Sequence, residues 1–130
     1  MASIFSKIIN GELPGHFVFQ DDHCVAIMTI APLRPGHVLV IPRQEIDHFD
    51  DLSAELASHL MVVSQKVAKA IKLAFPCERC GMVIAGLEVP HTHIHLFPVN
   101  EISDFDFTQA AMADQDDLKA AAEKLRAALQ

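Results

Sequence analysis

The sequence predicts one α+β domain with a mainly antiparallel sheet, a long helix packed on it and short helices near both ends. Two apolar segments separated by a turn with two prolines and a glycine are typical of a β-hairpin. A later segment carries apolar residues at every third or fourth position, which predicts a helix. With 130 residues, of which 51% are hydrophobic, the chain can bury a single core.

The first half of the chain begins with a short helix and continues with strands. Ser3 is a candidate N-cap and Gly11 a stop signal for a helix between them. Residues 16–20 predict a short strand. Residues 24–30 and 37–41 are apolar and partly β-branched, and they predict the two strands of the hairpin.

The second half of the chain is predicted to contain a long helix, two strands, an irregular segment and a last helix. Apolar spacing predicts a long helix over residues 52–74, which Pro76 ends. Strands are expected near residues 82–85 and 92–98. The acidic segment 100–113 has no clear period, and the last predicted element is an amphipathic helix between Leu118 and Leu129.

The charge balance restricts the class of partner. Ten Lys and Arg against 17 Asp and Glu give a net charge of −7, so the chain is a poor ligand for a nucleic-acid polymer, whose affinity depends on neutralised phosphates. No apolar run is as long as the roughly 20 residues of a membrane-spanning helix. The three cysteines are an odd number, which favours a reducing compartment over a disulfide framework. We therefore expect a cytoplasmic protein without a membrane partner.

Three of the eight histidines alternate with other residues in one short segment: His91, His93 and His95. In a strand, alternate side chains share one face, so the three imidazoles would lie in a row while Thr92 and Ile94 face the other way. Six buried ring nitrogens would need hydrogen-bond partners. The row therefore predicts a functional site.

Two kinds of chemistry use such a row. Neutral imidazole is a common metal ligand, and zinc accepts three histidines and a water. Alternatively, an unprotonated imidazole nitrogen attacks phosphorus while neighbouring imidazoles donate hydrogen bonds to the phosphoryl oxygens. The spacing alone leaves both open, although the absence of a carboxylate within the row disfavours a hard metal ion.

The segment His91-Thr92-His93-Ile94-His95-Leu96-Phe97 resembles the signature of the histidine triad (HIT) superfamily, in which histidines alternate with apolar residues. Further likeness to the bacterial, Hint-like branch lies in residues 4–9, 21–22, 35–42 and 89–90. The resemblance covers about residues 3–98. It implies a single HIT domain over residues 1–130, with a HIT-like fold and a variable acidic loop and C-terminal helix over about 100–130.

The resemblance implies a hydrolase or transferase that cleaves at the α-phosphate of purine nucleotide phosphoramidates, adenylates or dinucleoside polyphosphates. His93 matches the nucleophile that forms a nucleotidyl-histidine intermediate, with His95, His91 and His37 as the other catalytic residues. It also implies a homodimer and no cofactor. Residues at nucleotide-binding positions of the family are Ile4, Phe5, Ile27, Met28, Thr29, Gly86 and Glu88.

The chain departs from the family pattern at several positions. Thr29 stands where an aspartate commonly holds the ribose hydroxyls, and Leu87 stands where glutamine is usual, in a loop about three residues shorter. Many bacterial members have a zinc-binding C-x-x-C near the N-terminus, but this chain has Ser3 and Ser6. Hydroxyls do not hold zinc as thiolates do, so we expect no metal there.

Two alternatives to a nucleotidyl hydrolase remain open, the first suggested by these departures and the second by the histidine row. One is a slow or non-catalytic nucleotide-binding regulator, and the other is a hydrolase that uses the histidine row as metal ligands. A separate C-x-x-C at Cys77 and Cys80 supplies only two of the four ligands of a structural zinc. We expect it to be a solvated loop with two free thiols.

Overall fold

Five antiparallel strands and three α-helices make up the fold of the computed structural model, which describes all 130 residues. The strands are β1 (Phe17–Gln20), β2 (Cys24–Met28), β3 (Val38–Pro42), β4 (Arg79–Val83) and β5 (Ile94–Val99). They form one sheet in the order β1-β2-β3-β5-β4, with every neighbouring pair antiparallel. The helices are α1 (Ile4–Ile9), α2 (Ala54–Ala74) and α3 (Gln115–Leu129). The predicted α+β class is confirmed.

The two faces of the sheet have different partners. Ala26 pairs with Val40 in the β2–β3 ladder, and both belong to the main core, which also contains Leu60 of α2 and Leu125 of α3. Residues one position along the strands point the other way. There, Val25, Ile27, Leu39 and Ile41 form a smaller cluster with Phe5 of α1. The side of the sheet that carries α1 also carries the histidines.

Both predicted helix starts have a side-chain cap. The Ser3 hydroxyl accepts a hydrogen bond from the backbone N–H of Ser6, and Ser53 does the same for Leu56 at the start of α2. Such caps contribute about 1 kcal/mol each. Gly11 follows α1 with a φ of 82°, a conformation that favours glycine. The predicted glycine stop is therefore present.

Three details of the sequence prediction need correction. Strand β4 begins at Arg79, so Cys80 is a half-buried strand residue packed against the main core, not part of a solvated loop. Strand β5 begins at Ile94, later than predicted. The acidic segment contains two 3-10 turns, Ile102–Phe105 and Phe107–Gln109. None of the helices has the length and apolar character needed to cross a membrane.

Candidate active site

The three histidines of the row approach β5 from its N-terminal end, and only His95 lies within the strand. His91 is fully buried and His93 is 6% exposed, while His95 is half-buried. The imidazole rings of His93 and His95 have their centroids 5.0 Å apart. The hydroxyl of Thr92 donates to the carbonyl of Ile46, and the side chain of Ile94 packs in the main core on the other face of the sheet. The predicted separation of the two faces is therefore confirmed at Ile94.

Both ring nitrogens of His91 have protein partners. Nε2 lies 2.8 Å from the carbonyl oxygen of Pro42, and Nδ1 lies 2.6 Å from the hydroxyl of Ser3. Because a carbonyl oxygen only accepts, Nε2 carries the hydrogen. Nδ1 is then the acceptor, and Ser3 donates to it. The two partners fix the tautomer of the neutral imidazole, and His91 has no nitrogen left for a substrate or a metal ion.

His93 has one nitrogen fixed and one free. Its Nδ1 lies 2.8 Å from the carbonyl oxygen of His91 and therefore carries the hydrogen. Nε2 then has an unprotonated lone pair and makes no hydrogen bond within the protein. Among the buried side-chain nitrogen and oxygen atoms, only Ser64 Oγ has no hydrogen-bond partner. Since Nε2 of His93 also has no partner, it is not a buried atom, and solvent can reach it. This is the state that a nucleophile needs.

A hydrogen bond from His37 determines the tautomer of His95. The backbone N–H of Leu33 donates to Nδ1 of His37 at 3.0 Å, so His37 carries its hydrogen on Nε2. That Nε2 donates to Nδ1 of His95, also at 3.0 Å. His95 must then carry its own hydrogen on Nε2, as a free donor beside the lone pair of His93. The predicted role of His37 near the row becomes specific here, because it positions and polarises His95.

Burial favours the neutral form of these imidazoles. It lowers the pKa of His37 to about 3, with a smaller contribution from His95. It also lowers the pKa of His95 to about 4 and that of His93 below its usual value. The carboxylate of Glu88 opposes the shift at His93. At neutral pH the nucleophile candidate is consequently unprotonated.

Phe107 is a neighbour of the site that no motif in the sequence indicates. Its ring meets His95 edge-on, with centroids 5.0 Å apart, and lies 6.3 Å from His37. An ion pair between Arg34 and Asp104 connects the acidic segment that contains Phe107 to the turn before β3. Asp104 also accepts hydrogen bonds from the backbone N–H groups of residues 100 and 101. No period or motif in the sequence predicts that this segment packs against the histidines.

The structure brings some of the predicted nucleotide-binding residues to the site and separates others. Phe5 packs against His93, with ring centroids 4.8 Å apart, and Ile27 lies in the same cluster as Phe5. Met28 is a correction, because its side chain points to the opposite face and packs in the main core. Because successive side chains of a strand point to opposite faces of the sheet, Ile27 and Met28 of β2 cannot both face the histidines. Ile4 is 46% exposed on α1.

The remaining predicted residues lie in two loops. The hydroxyl of Thr29 accepts a hydrogen bond from the backbone N–H of Ala31, in the turn that leads to β3. Gly86 has a φ of 70°, which favours glycine, and Glu88 is exposed in the same loop. Leu87 is 94% exposed. The rest of the protein therefore covers almost none of this side chain.

The two serines near the N-terminus belong to a hydrogen-bond network. The Ser3 backbone N–H and the Ser6 hydroxyl both donate to one oxygen of Glu45, each at 2.7 Å. Ser3 in turn donates its hydroxyl to His91. A structural zinc ion needs several thiolate or imidazole ligands, and here the hydroxyls replace thiolates while His91 is fully engaged. This donor set does not fit the family's structural zinc.

Comparison with known proteins agrees with the architecture. The chain is 39% identical over 100 residues to an uncharacterised HIT-like protein of Methanocaldococcus jannaschii, covering 73% of this chain and 77% of the relative. A crystal structure of a HIT-like protein from Bartonella henselae superimposes with a TM-score of 0.86 at 32% identity, covering 97% of this chain and 95% of that one.

A second solved structure is a hypothetical histidine triad nucleotide-binding protein from Sulfolobus tokodaii. It matches with a TM-score of 0.85 at 25% identity, over 96% of this chain and 90% of that chain. The sequence profile of the HIT domain matches residues 10–102, which include the histidine row and the sheet that carries it. By sequence and by structure, the chain belongs to the HIT family.

Proposed function

We propose that this protein is a nucleotidyl hydrolase that cleaves purine nucleotide phosphoramidates, adenylates or dinucleoside polyphosphates at the α-phosphate. The observation that carries the proposal is the pairing of an unprotonated Nε2 on His93 with an Nε2–H donor on His95. A lone pair and a hydrogen-bond donor side by side suit attack on phosphorus and stabilisation of the charge that develops on its oxygens.

The proposed reaction has two steps. Nε2 of His93 forms a bond to the α-phosphorus, and the leaving group departs with the electrons of its own bond to that phosphorus. His95 donates its Nε2–H to a non-bridging oxygen. Water then attacks the phosphorus and breaks the P–N bond, so that the lone pair returns to His93 and the proton that the water loses passes to solvent. His91 holds the backbone carbonyl that orients His93, and neither step uses a metal ion.

Binding of a nucleotide is supported by the family and by the surroundings of the row. The relative from Sulfolobus tokodaii is described as nucleotide-binding. Phe5 packs against His93, and Ile27 belongs to the same apolar cluster as Phe5. An apolar cluster beside the nucleophile candidate suits a purine and its ribose. Met28 has no part in this proposed nucleotide-binding surface, because its side chain lies on the other face of the sheet.

The covalent intermediate gives a direct test. Wild-type protein mixed with a labelled nucleotide substrate and quenched rapidly should carry an acid-labile nucleotidyl adduct. His93→Ala should form none and still bind the nucleotide in calorimetric titration. His48→Ala is a matched control, since His48 is exposed and its only polar partner is the neighbouring Asp47. An adduct on His93→Ala would refute the assignment of the nucleophile.

A slow or non-catalytic nucleotide-binding regulator is the second candidate. It is favoured by Leu87, an apolar and 94% exposed side chain where the family has glutamine, and by Thr29, whose hydroxyl already bonds to a backbone N–H. Turnover of a fluorogenic adenosine phosphoramidate separates the two candidates. Tight nucleotide binding without measurable turnover would favour the regulator.

A metal-dependent hydrolase is disfavoured by the hydrogen bonds of the row. His91 has no free nitrogen, and His93 and His95 each have one. Three histidines therefore cannot ligate one ion without breaking buried hydrogen bonds, each worth about 1 kcal/mol or more. Turnover should be unchanged after exhaustive chelation. Loss of turnover, with recovery on adding back zinc, would favour this candidate instead.

We also propose a homodimer in the cytoplasm. Strand β4 lies at the edge of the sheet, where unpaired backbone groups and the exposed side chain of Met82 can meet a second copy. Light scattering on wild type and on Met82→Lys measures the mass. A dimer that becomes a monomer in the variant supports pairing through β4, whereas a monomeric wild type contradicts it.

A further inference from the structure

A second group of reactive side chains lies on the helix-facing side of the sheet, away from the histidine row. Asp21 stands in the turn between β1 and β2, Cys24 begins β2, and His59 lies on α2. One potential ligand atom of each lies within 4.8 Å of the others. They form the only set of three or more such side chains in the chain with this spacing.

Backbone hydrogen bonds hold the carboxylate of this group in a fixed orientation. Asp21 Oδ1 accepts from the backbone N–H groups of His23 and Cys24, at 2.8 and 2.9 Å. Its other oxygen, Oδ2, lies 2.7 Å from Nε2 of His59. The nearby Arg43 donates to the backbone oxygen of Asp21 instead of the carboxylate. One carboxylate oxygen is therefore directed at the imidazole, and the thiol of Cys24 lies within 4.8 Å of this pair of side chains.

We propose that Asp21, Cys24 and His59 form a binding site for a divalent transition-metal ion, with zinc as the best match. The ligands would be Oδ2 of Asp21, Sγ of Cys24 and Nε2 of His59. A thiolate, an imidazole and a carboxylate are the ligand types that Zn²⁺ takes in tetrahedral sites, whereas Mg²⁺ and Ca²⁺ select oxygen ligands alone.

Access and a fourth ligand are both available. The Cys24 side chain is fully buried, but Asp21 and His59 are 27% and 34% exposed, so an ion can enter from solvent. An open pocket of about 330 Å³ borders the group and is lined by both His23 and His59. The two imidazole rings meet edge-on with centroids 5.0 Å apart. A side-chain rotation of His23, or a water molecule in the pocket, completes four ligands.

Metal binding at this site requires two proton movements. The thiol of Cys24 loses its proton to solvent as the S–metal bond forms, and His59 moves its hydrogen from Nε2 to Nδ1. Burial and the Asp21 carboxylate raise the pKa of this thiol to about 12 in the metal-free protein. A bound cation reverses that preference. Binding should therefore release about one proton per ion near neutral pH.

Cobalt is the probe that identifies the ligands. Co²⁺ titrated into the full-length protein under reducing conditions should bind once per chain and give a thiolate-to-cobalt charge-transfer absorption together with tetrahedral visible bands. Cys24→Ala should lose the charge-transfer absorption. His59→Gln keeps an N–H group for Asp21 but removes the imidazole lone pair, and should weaken binding by roughly tenfold or more. Zinc should displace the cobalt.

Matched variants exclude the other ligands of the chain. Cys77→Ser with Cys80→Ser removes the remaining thiols, and His93→Ala alters the histidine row; both should keep the full spectrum. Zinc should also raise the thermal midpoint of wild type but not of His59→Gln, because a ligand that binds only the folded state stabilises it. A charge-transfer band that persists in Cys24→Ala, or no binding at micromolar Co²⁺, would overturn the proposal.

Discussion

Ser3 donates its hydroxyl to Nδ1 of His91 across 2.6 Å, although 88 residues separate them in the chain. The same hydroxyl oxygen accepts the backbone N–H of Ser6 and so caps α1. One side chain therefore begins a helix and fixes the tautomer of the first histidine in the row. Because the carbonyl of His91 orients His93, the N-terminal helix is connected to the nucleophile candidate through two consecutive hydrogen bonds.

Replacing Ser3 by alanine should destabilise the protein and slow turnover. It leaves Nδ1 of the buried His91 without a donor, which costs about 1–3 kcal/mol, and it removes a helix cap worth about 1 kcal/mol. Urea unfolding measures the loss of free energy. Ser6→Ala is the control, because it removes one bond to Glu45 and keeps the bond to His91. Equal losses in the two variants would contradict the special role of Ser3.

Two substitutions at His37 should distinguish its hydrogen bond to His95 from the space that its side chain fills. His37→Gln retains an N–H donor near Nδ1 of His95, while His37→Leu removes it and leaves a similar volume. We expect turnover to fall much more in His37→Leu, with kcat affected more than KM, because the donor on His95 is needed in the transition state. Ring-nitrogen chemical shifts of His95 report its tautomer. Identical shifts and rates in both variants would rule out the relay.

Stability should fall as the pH drops below about 6.5. The unfolded chain binds a proton on His37 near its ordinary pKa of 6.5, but the folded state resists it until about pH 3. In that window the unfolded state holds more protons, so acid favours unfolding. The expected slope is roughly 1.4 kcal/mol per pH unit from this fully buried histidine.

Urea unfolding between pH 7 and pH 5 tests that slope. His37→Gln removes the titrating group and should show a shallower pH dependence than wild type, whatever its own stability at pH 7. His95, whose pKa is lowered in the same direction, contributes to the remaining slope in both proteins. Parallel curves for the two proteins would mean that His37 is not kept neutral by the fold.

Removing the ring of Phe107 should make His95 easier to protonate. The ring covers His95 edge-on, and burial is the main cause of its lowered pKa. Phe107→Ala admits water and should raise the pKa of His95 toward 6.5 in an NMR titration. Phe105→Ala is the matched control, since Phe105 packs on Phe97 and Gly81 instead. A shift of the same size in the control would contradict a direct effect.

An aspartate at position 29 should improve recognition of the ribose. If Thr29 faces the ribose as the family position implies, Thr29→Asp presents a carboxylate to both hydroxyls. Charge-assisted hydrogen bonds contribute roughly 1.5–3 kcal/mol, against about 1 kcal/mol for neutral ones. Binding of a ribonucleotide should strengthen about tenfold relative to its 2′,3′-dideoxy analogue, because repulsion of the phosphate cancels in that ratio. Calorimetry with both ligands measures it, and an unchanged ratio would show that Thr29 does not face the ribose.

Most elements of the fold are readable from the sequence because local rules specify them. The apolar spacing of α2, the cap at Ser53 and the stop at Pro76 depend only on nearby residues. The bounds of β4 were harder to predict. Its start at Arg79 follows from pairing with Val99 of β5, a contact that no local pattern reveals.

The sequence by itself determined that three histidines share one side of the sheet and that this is a HIT-family chain, since alternation and motif order are local properties. Only the tertiary structure decided what each histidine does. Their tautomers depend on partners far away in the chain, such as Ser3 for His91 and Leu33, through His37, for His95. A hydrogen bond is directional and reaches about 3 Å, so its partner is fixed by the folded backbone and not by spacing along the sequence.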